Sequence, residues 1–456
     1  MSFPSSYKDM KKAFLTVACC VWGLVVSAQQ TYTCEQLIDS ARANNVAISN
    51  GRLGVEAAHQ QRKEAFTKFF PNVSATGLWF NANKAMAEMN INLAEQIPPA
   101  LGAALAQSMP PEALASLGEP MSMAMMKHGT LASVTALQPV FAGGQIVNGN
   151  KLARVGEEVS RLQLQMADDE VETKVSQYFW QLVSLEEKKR TLAAVDTMLV
   201  DIHKDVSLAV KAGLVLRNDL LQVELRRNEV ESQKVKVDNA MVLVRMLLVQ
   251  YCGLKDDRFL LALPSAELSE PLALKCDHEQ ALAATPEYQL LDKQVEEAAL
   301  QRKMAIGEQL PSVAVGAGYN YHNLLGNDQS FGMVFATVSV PISGWWGGSH
   351  AIKRKKIAHQ QAMEQMDDNA QLLRIRMQGA WNDVEEAYRQ LDIAKRSIAQ
   401  AEENLRISRN TYRAGTITMS DLLQAQLLYQ QALDKHTDAL ADYHNKVVAY
   451  RHAVGR

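Results

Sequence analysis

The sequence predicts a mostly α-helical protein with a minor complement of β-strands, built from one structural unit written twice. Three observations predict it. Ala, Leu, Gln, Glu and Lys dominate a chain of 456 residues with only 13 prolines and 24 glycines, the bias of long helices. Matching segments recur at fixed offsets. In each copy, runs of alternating residues precede a sustained heptad stripe.

Composition also excludes. A net charge of −3 lacks the basic excess that a nucleic-acid surface needs, and the block Lys353-Arg354-Lys355-Lys356 is local. A mean hydropathy of −0.15 excludes a polytopic helical membrane protein. The one long apolar run is N-terminal: Lys8, Lys11 and Lys12 precede Ala13 to Val26, and Val26-Ser27-Ala28 is a small-residue cleavage site. Residues 1–28 therefore read as a secretory signal peptide. Cys19 and Cys20 are preceded at three residues by Thr16 and Val17, where a lipid-attachment site would carry Leu. Cleavage leaves Cys34, Cys252 and Cys276. At most one disulfide can form within the chain, with Cys252 and Cys276 the plausible pair, or all three stay free. None has metal-ligand spacing, and no metal or cofactor is expected.

The repeat is read from the residues. Gln61-Arg62-Lys63, Ala65 and Pro71 recur as Gln301-Arg302-Lys303, Ala305 and Pro311, an offset of 240. Ala212-Gly213 and Asp219-Leu220-Leu221-Gln222 recur as Ala414-Gly415 and Asp421-Leu422-Leu423-Gln424, an offset of 202. The difference of 38 places an extra segment in the first copy, and residues 84–128, with their prolines, alanines and methionines, fit it. The first repeat spans 29–255, a linker 256–275 and the second repeat 276–456. Each runs helix, strand pair, very long helix, short turn, helix.

The strands show period-two alternation. Val313, Val315, Ala317, Tyr319 and Tyr321 share one face, with Ala314, Gly316, Gly318, Asn320 and His322 on the other. Segments 72–82, 129–140 and 331–342 show weaker versions. Each is about 10 to 12 residues, the length of a tilted membrane strand. Four strands cannot close a barrel, so either the sheet is soluble or several chains pool their strands.

The helices carry more information. From Met363 through Met377, Val384 and Leu391 to Leu405, every position spaced alternately three and four apart is apolar. No proline interrupts 350–410, and 60 helical residues span roughly 90 Å. The first copy's second helix has its own stripe from Leu220 and Val223 to Val244 and Leu248, broken by Arg227 and Lys234.

At this point the chain resembles the TolC-like outer-membrane efflux protein family over about 33–455. Phe70-Pro71-Asn72-Val73 and Leu310-Pro311-Ser312-Val313 enter the outward strands, and Pro139-Val140-Phe141-Ala142-Gly143-Gly144 and Pro341-Ile342-Ser343-Gly344 mark the return. Tyr412-Arg413-Ala414-Gly415-Thr416 followed by Ser420-Asp421-Leu422-Leu423-Gln424 is similar to the family's tip signature. The resemblance implies a homotrimer, with twelve strands in one outer-membrane β-barrel continuous with a long periplasmic α-helical barrel. Trp79, Phe80, Tyr319, Tyr321, Trp345 and Trp346 would then form aromatic girdles against outer-membrane lipid. Gly143-Gly144 and Gly347-Gly348 would relieve the backbone where strand turns into helix.

The resemblance also implies a function without a catalytic site. An inner-membrane pump would supply the energy and a periplasmic adaptor (membrane fusion) protein would join it to the channel. The adaptor would dock around 209–222 and 411–426, on turns holding Gly213, Gly415 and Thr416. Asp219, Tyr412, Asp421 and Gln424 would form the periplasmic gate, although Gln424 stands where a second acid can sit and Ile417 replaces a basic residue. Asp219 and Asp421 equally suit the first turns of helices. The chain has no Walker-type loop, His-Glu-x-x-His, Gly-x-Ser-x-Gly or Cys-x-x-Cys, so no enzyme is expected. Protein secretion or metal export would use the same tube, and a periplasmic coiled-coil scaffold is the other class of reading. The methionines of 84–128 with His128 suit either soft-metal binding or an apolar, partly helical loop.

Overall fold

The computed structural model describes residues 30–84, 87–91, 97–98, 101, 109–110, 121–125, 127–263, 270–324 and 327–456. The signal peptide and Cys19–Cys20 lie outside them, as does much of the insertion. In chain order the elements are β1 (Thr31–Tyr32), α1 (Cys34–Asn44), α2 (Val46–Thr67), β2 (Asn72–Asn81), β3 (Ala87–Ile91), β4 (Met121–Met125), β5 (His128–Ala142), α3 (Gln145–Lys211) and α4 (Arg217–Cys252). After these come β6 (Leu260–Leu261), α5 (His278–Leu282), α6 (Pro286–Gly307), β7 (Ser312–His322), β8 (Gln329–Ser339), α7 (Gly344–Arg413) and α8 (Met419–Ala453). Helices α2 and α6 start 240 positions apart and have 22 residues each, while α4 and α8 start 202 apart, the two offsets read from the sequence.

Two compact units cut across the repeats, one made of 1–56, 158–293 and 364–456, the other of 57–157 and 294–363. In the first, the duplication reappears as packing. Val171, Val175, Phe179 and Leu182 of α3 are buried with Val244, Leu248 and Cys252 of α4. At the 202 offset, Leu373, Met377, Trp381 and Val384 of α7 are buried with Tyr450 and Val454 at the second repeat's C-terminal end. A third cluster joins the copies: Leu199, Ile202 and Val206 of α3, Val223 and Val230 of α4, Met419 and Leu422 of α8. The heptad stripe of α7 is buried only in its middle, from Ala370 to Ala394, whereas Met363 is 40% exposed. Cys34 and Cys252 belong to one core and Cys276 borders the other; all three are free, so the Cys252–Cys276 disulfide does not form. Within the segment read as linker, β6 pairs in parallel with β1 and Pro271–Ala273 forms a 3-10 turn.

The second unit holds an antiparallel sheet of order β2-β5-β7-β8, in which the β5–β7 ladder joins the repeats. Strand β8 ends at Ser339 and α7 begins at Gly344, so the fourth strand lies earlier than 331–342. Trp345, Trp346, Gly347 and Gly348 are helical, and the backbone relief expected of Gly347-Gly348 is absent because the chain turns at 340–343 instead. In the first copy the expectation holds, with Gly143 and Gly144 at φ +59° and +77°. A Cβ on Gly143 would lie 2.1 Å from the Gly307 carbonyl oxygen. The insertion is not a partly helical loop at its two ends. Strands β3 and β4 pair there, Ala87 with Met125, continuing the hairpin in which Asn81 faces His128.

Register sorts the two sheet faces. Val73, Trp79, Val134, Val315, Tyr319, Val334 and Val338 fall on one face, with Tyr321. Asn72, Ser74, Thr76, Ser133, Thr135, Asn320 and His322 fall on the other, where Thr76 and Ser133 share a 2.9 Å hydrogen bond. The apolar face is open: Val334 is 86% exposed, Trp79 71% and Tyr319 60%. A half-buried soluble sheet would hide this face, so the soluble alternative loses its support. Strands β2 and β8 each have one neighbour and form the sheet's edges. Among the described residues no helix is long and apolar enough to cross a membrane.

Candidate functional site: the helical turns and the strand faces

The turns α3–α4 and α7–α8 are built alike. Helix α3 ends with Lys211 in its last turn and α7 with Arg413, each a cation complementing the helix dipole. Gly213 follows at φ +74°, its N–H donating to the Val210 carbonyl (3.0 Å) while the Leu214 N–H donates to Ala209 (2.9 Å). Gly415 at φ +73° repeats this with Tyr412 (2.9 Å), and Thr416 N–H donates to Thr411 (3.1 Å). This left-handed cap needs glycine for its backbone rather than for space, since a Cβ at either position meets nothing. The Thr416 hydroxyl adds a 3.0 Å bond to the Thr411 carbonyl.

The helix starts differ between copies. Thr418 caps α8: the Asp421 N–H donates to Thr418 Oγ1 (3.2 Å), and Thr418 N–H donates back to Asp421 Oδ2 (3.0 Å). The Thr418 hydroxyl, which also donates to Asp421 Oδ2 (2.7 Å), and then the Thr418 N–H hold the Asp421 carboxyl below the usual carboxylate range. In α4 the cap position is Leu216, which makes no side-chain bond, and Asp219 is a first-turn acid only. Capping is thus the observed role of Asp421, and Asp219 contributes charge near the helix dipole.

The fold brings Tyr412 and Asp219 together across the copies. Tyr412 borders the shared apolar cluster, and its hydroxyl pKa is raised by burial and then by the charge of Asp219. Among the described residues no hydrogen bond joins them, and neither Arg217 nor Arg413 forms an ion pair with Asp219. Asp421 and Gln424 are exposed.

Sequence reasoning missed Arg226. It is 7% exposed and donates to Gln426 Oε1 (3.0 Å) and Gln430 Oε1 (2.7 Å) of α8 and to Glu229 (2.8 Å). Gln430 passes a further bond to Gln233 (2.8 Å). A cation next to glutamines 200 residues away leaves no local signature. The two breaks in the α4 stripe also find an explanation. Lys234 pairs with Asp196 of α3, and both residues line a polar groove of about 430 Å³ with Glu224, Arg227, Asn228 and Glu231.

The expected girdle residues divide. Trp79, Tyr319 and Tyr321 share the apolar face, Phe80 falls on the opposite one, and Trp345 and Trp346 lie in the first turn of α7. Among the described residues no His, Cys, Asp or Glu cluster is arranged to hold a metal.

Comparison with known proteins accords with this architecture. Residues 278–456 match the family model described as outer membrane efflux protein. That match covers the C-terminal part of the chain, from α5 onward. The fold likeness extends over nearly the whole chain. VceC from Vibrio cholerae is 14% identical, with 92% of this chain and 96% of that one covered at a TM-score of 0.72. CmeC from Campylobacter jejuni, an outer membrane channel, is 15% identical over 92% and 85%, TM-score 0.72. The open-state MtrE outer membrane channel of Neisseria gonorrhoeae is 14% identical over 92% and 88%, TM-score 0.71. No curated protein matches the sequence. The fold is one that solved outer membrane channels share.

Proposed function

We propose that three copies pool their sheets into one twelve-stranded barrel and conduct small molecules, drugs among them, passively outward. An inner-membrane pump supplies the energy, and a periplasmic adaptor docks on the turns at Gly213 and Gly415–Thr416. The observation that carries this reading is the open-edged sheet with an exposed apolar face, its other face mixing polar residues with Leu78, Phe331 and Met333. A four-stranded sheet with two free edges invites further strands, and closure with other copies removes every edge. Exposed Val235, Val242, Leu243 and Met246 on α4 supply apolar surface for the same association. In this assembly Asp219, Tyr412, Asp421 and Gln424 ring the periplasmic entrance, and repeated carboxylates there favour cations.

Light scattering corrected for bound detergent, on protein extracted from outer membranes, tests the assembly. Three copies per particle are expected. A monomer or dimer that stays dispersed without detergent would overturn the channel reading and favour a periplasmic scaffold.

A further inference from the structure

The helix-side end of the sheet carries cationic and aromatic surface in both repeats. In the first, Arg62, Lys63, Phe66 and Phe69 of α2 and the segment after it line a groove of about 490 Å³ with Lys151 and Arg154 of α3. Phe66 lies against Phe69 and Phe70, each 5.6 Å away between ring centroids, and remains 54% exposed. Glu157 is buried and holds Arg62 (3.1 Å) and His59 (3.4 Å), while Glu64 beside Lys63 is exposed. Lys63 and Lys151 are exposed, and among the described residues neither forms an ion pair. In the second repeat, at the 202 offset, Lys353 stands for Lys151 and Lys356 for Arg154, with Arg354 between them; all three are exposed. Trp345 and Trp346 of the same helix are 49% and 81% exposed.

Helix stability does not account for this charge. No Asp or Glu occurs between Gln145 and Gly156 or between Gly344 and Met363, where both long helices begin. Lys151 and Lys353 lie beyond the first turns of α3 and α7, where the helix dipole no longer acts, so the dipole does not call for these cations. A water-filled lumen does not account for the phenylalanines and tryptophans beside them. Large exposed aromatics next to cations suit the boundary where acyl chains meet headgroups.

We infer that each repeat carries a binding site for the phosphate of an acidic phospholipid in the periplasmic leaflet of the outer membrane. Lys63 and Lys151 form the first site, and Lys353, Arg354 and Lys356 the second. The adjoining aromatics seat among the upper acyl chains. Duplication makes the two sites related, so trimeric assembly would set six of them in a collar.

The test is a lipid titration of the full-length protein in detergent, read by native mass spectrometry with phosphatidylglycerol and phosphatidylcholine of identical chains. Phosphatidylglycerol is expected to bind more tightly, with a preference that shrinks as salt rises. Lys63→Gln with Lys151→Gln, and Lys353→Gln with Arg354→Gln and Lys356→Gln, should each weaken phosphatidylglycerol binding at one site. The expected loss is roughly five-fold per charge removed, with phosphatidylcholine unaffected. Equal affinity for the two lipids in the unmodified protein would overturn the inference, whether the cations are covered by a second copy or line the lumen. So would a preference that survives both sets of substitutions. Should a variant fail to insert, the headgroup and salt comparison on the unmodified protein decides alone.

Discussion

Thr418 and Asp421 hold the start of α8 by reciprocal bonds, so a substitution at Asp421 removes a cap as well as a charge. Two variants separate these effects. Thr418→Ala should lower stability by about 1 kcal/mol in thermal unfolding and leave channel conductance unchanged. Asp421→Asn keeps an acceptor for the cap and removes the charge; conductance should rise if the carboxylates restrict the entrance, and an unchanged conductance would confine Asp421 to capping. Arg226 offers a different kind of residue effect. Arg226→Ala strands Gln426 and Gln430 in a buried site and should cost about 3 kcal/mol, read as a lower unfolding temperature. The tip turns were legible because Ala-Gly at two places, each followed by Asp-Leu-Leu-Gln, repeats a local signal. Arg226 was not, because its partners are set by the packing of α4 on α8.

Helix ends and contacts between helices set the next scale. Gly143 and Gly415 both have positive φ, but their surroundings differ. Gly415→Ala meets open space and should cost about 1 kcal/mol, with membrane levels retained. Gly143→Ala would drive a methyl group into the Gly307 carbonyl, so membrane levels should fall sharply, as quantified in outer-membrane fractions. The pairing of α3 with α8 brings a pH dependence. His444 of α8 stacks on Trp180 of α3 at 3.8 Å, and burial depresses its pKa from 6.5 to about 4. The unfolded chain then binds the proton first, so the contribution is complete above pH 6.5 and declines as pH falls toward about 4. His444→Phe should flatten that part of the unfolding-temperature profile. The alternation and heptads announced strands and helices well. They did not announce where α7 begins, because Gly344-Trp345-Trp346-Gly347-Gly348 reads as a break while the backbone there is helical.

At the scale of the molecule, the duplication was the most legible feature, since one offset predicts both the turns and the buried residues. Phe179 and Trp381, Leu248 and Tyr450 occupy matching core positions 202 residues apart. The compact units were hidden, because each draws on both repeats and depends on contacts distant in sequence. The faces of the sheet lay between these extremes: period two already parts Trp79 from Phe80, and only register across strands shows that Val134, Tyr319 and Val334 share the face that Trp79 occupies.

The β5–β7 ladder has a consequence for how the protein is made. Thr130 N–H donates to Asn323, its partner 193 positions later in the chain. The first hairpin therefore leaves the export machinery with its apolar face and one strand edge bare, and most of the remaining chain must follow before its neighbour arrives. Such a wait is an aggregation hazard that slow, distant strand pairing creates. Biogenesis of this chain should depend on a periplasmic holdase that shelters β2 and β5 until the second repeat has crossed the inner membrane.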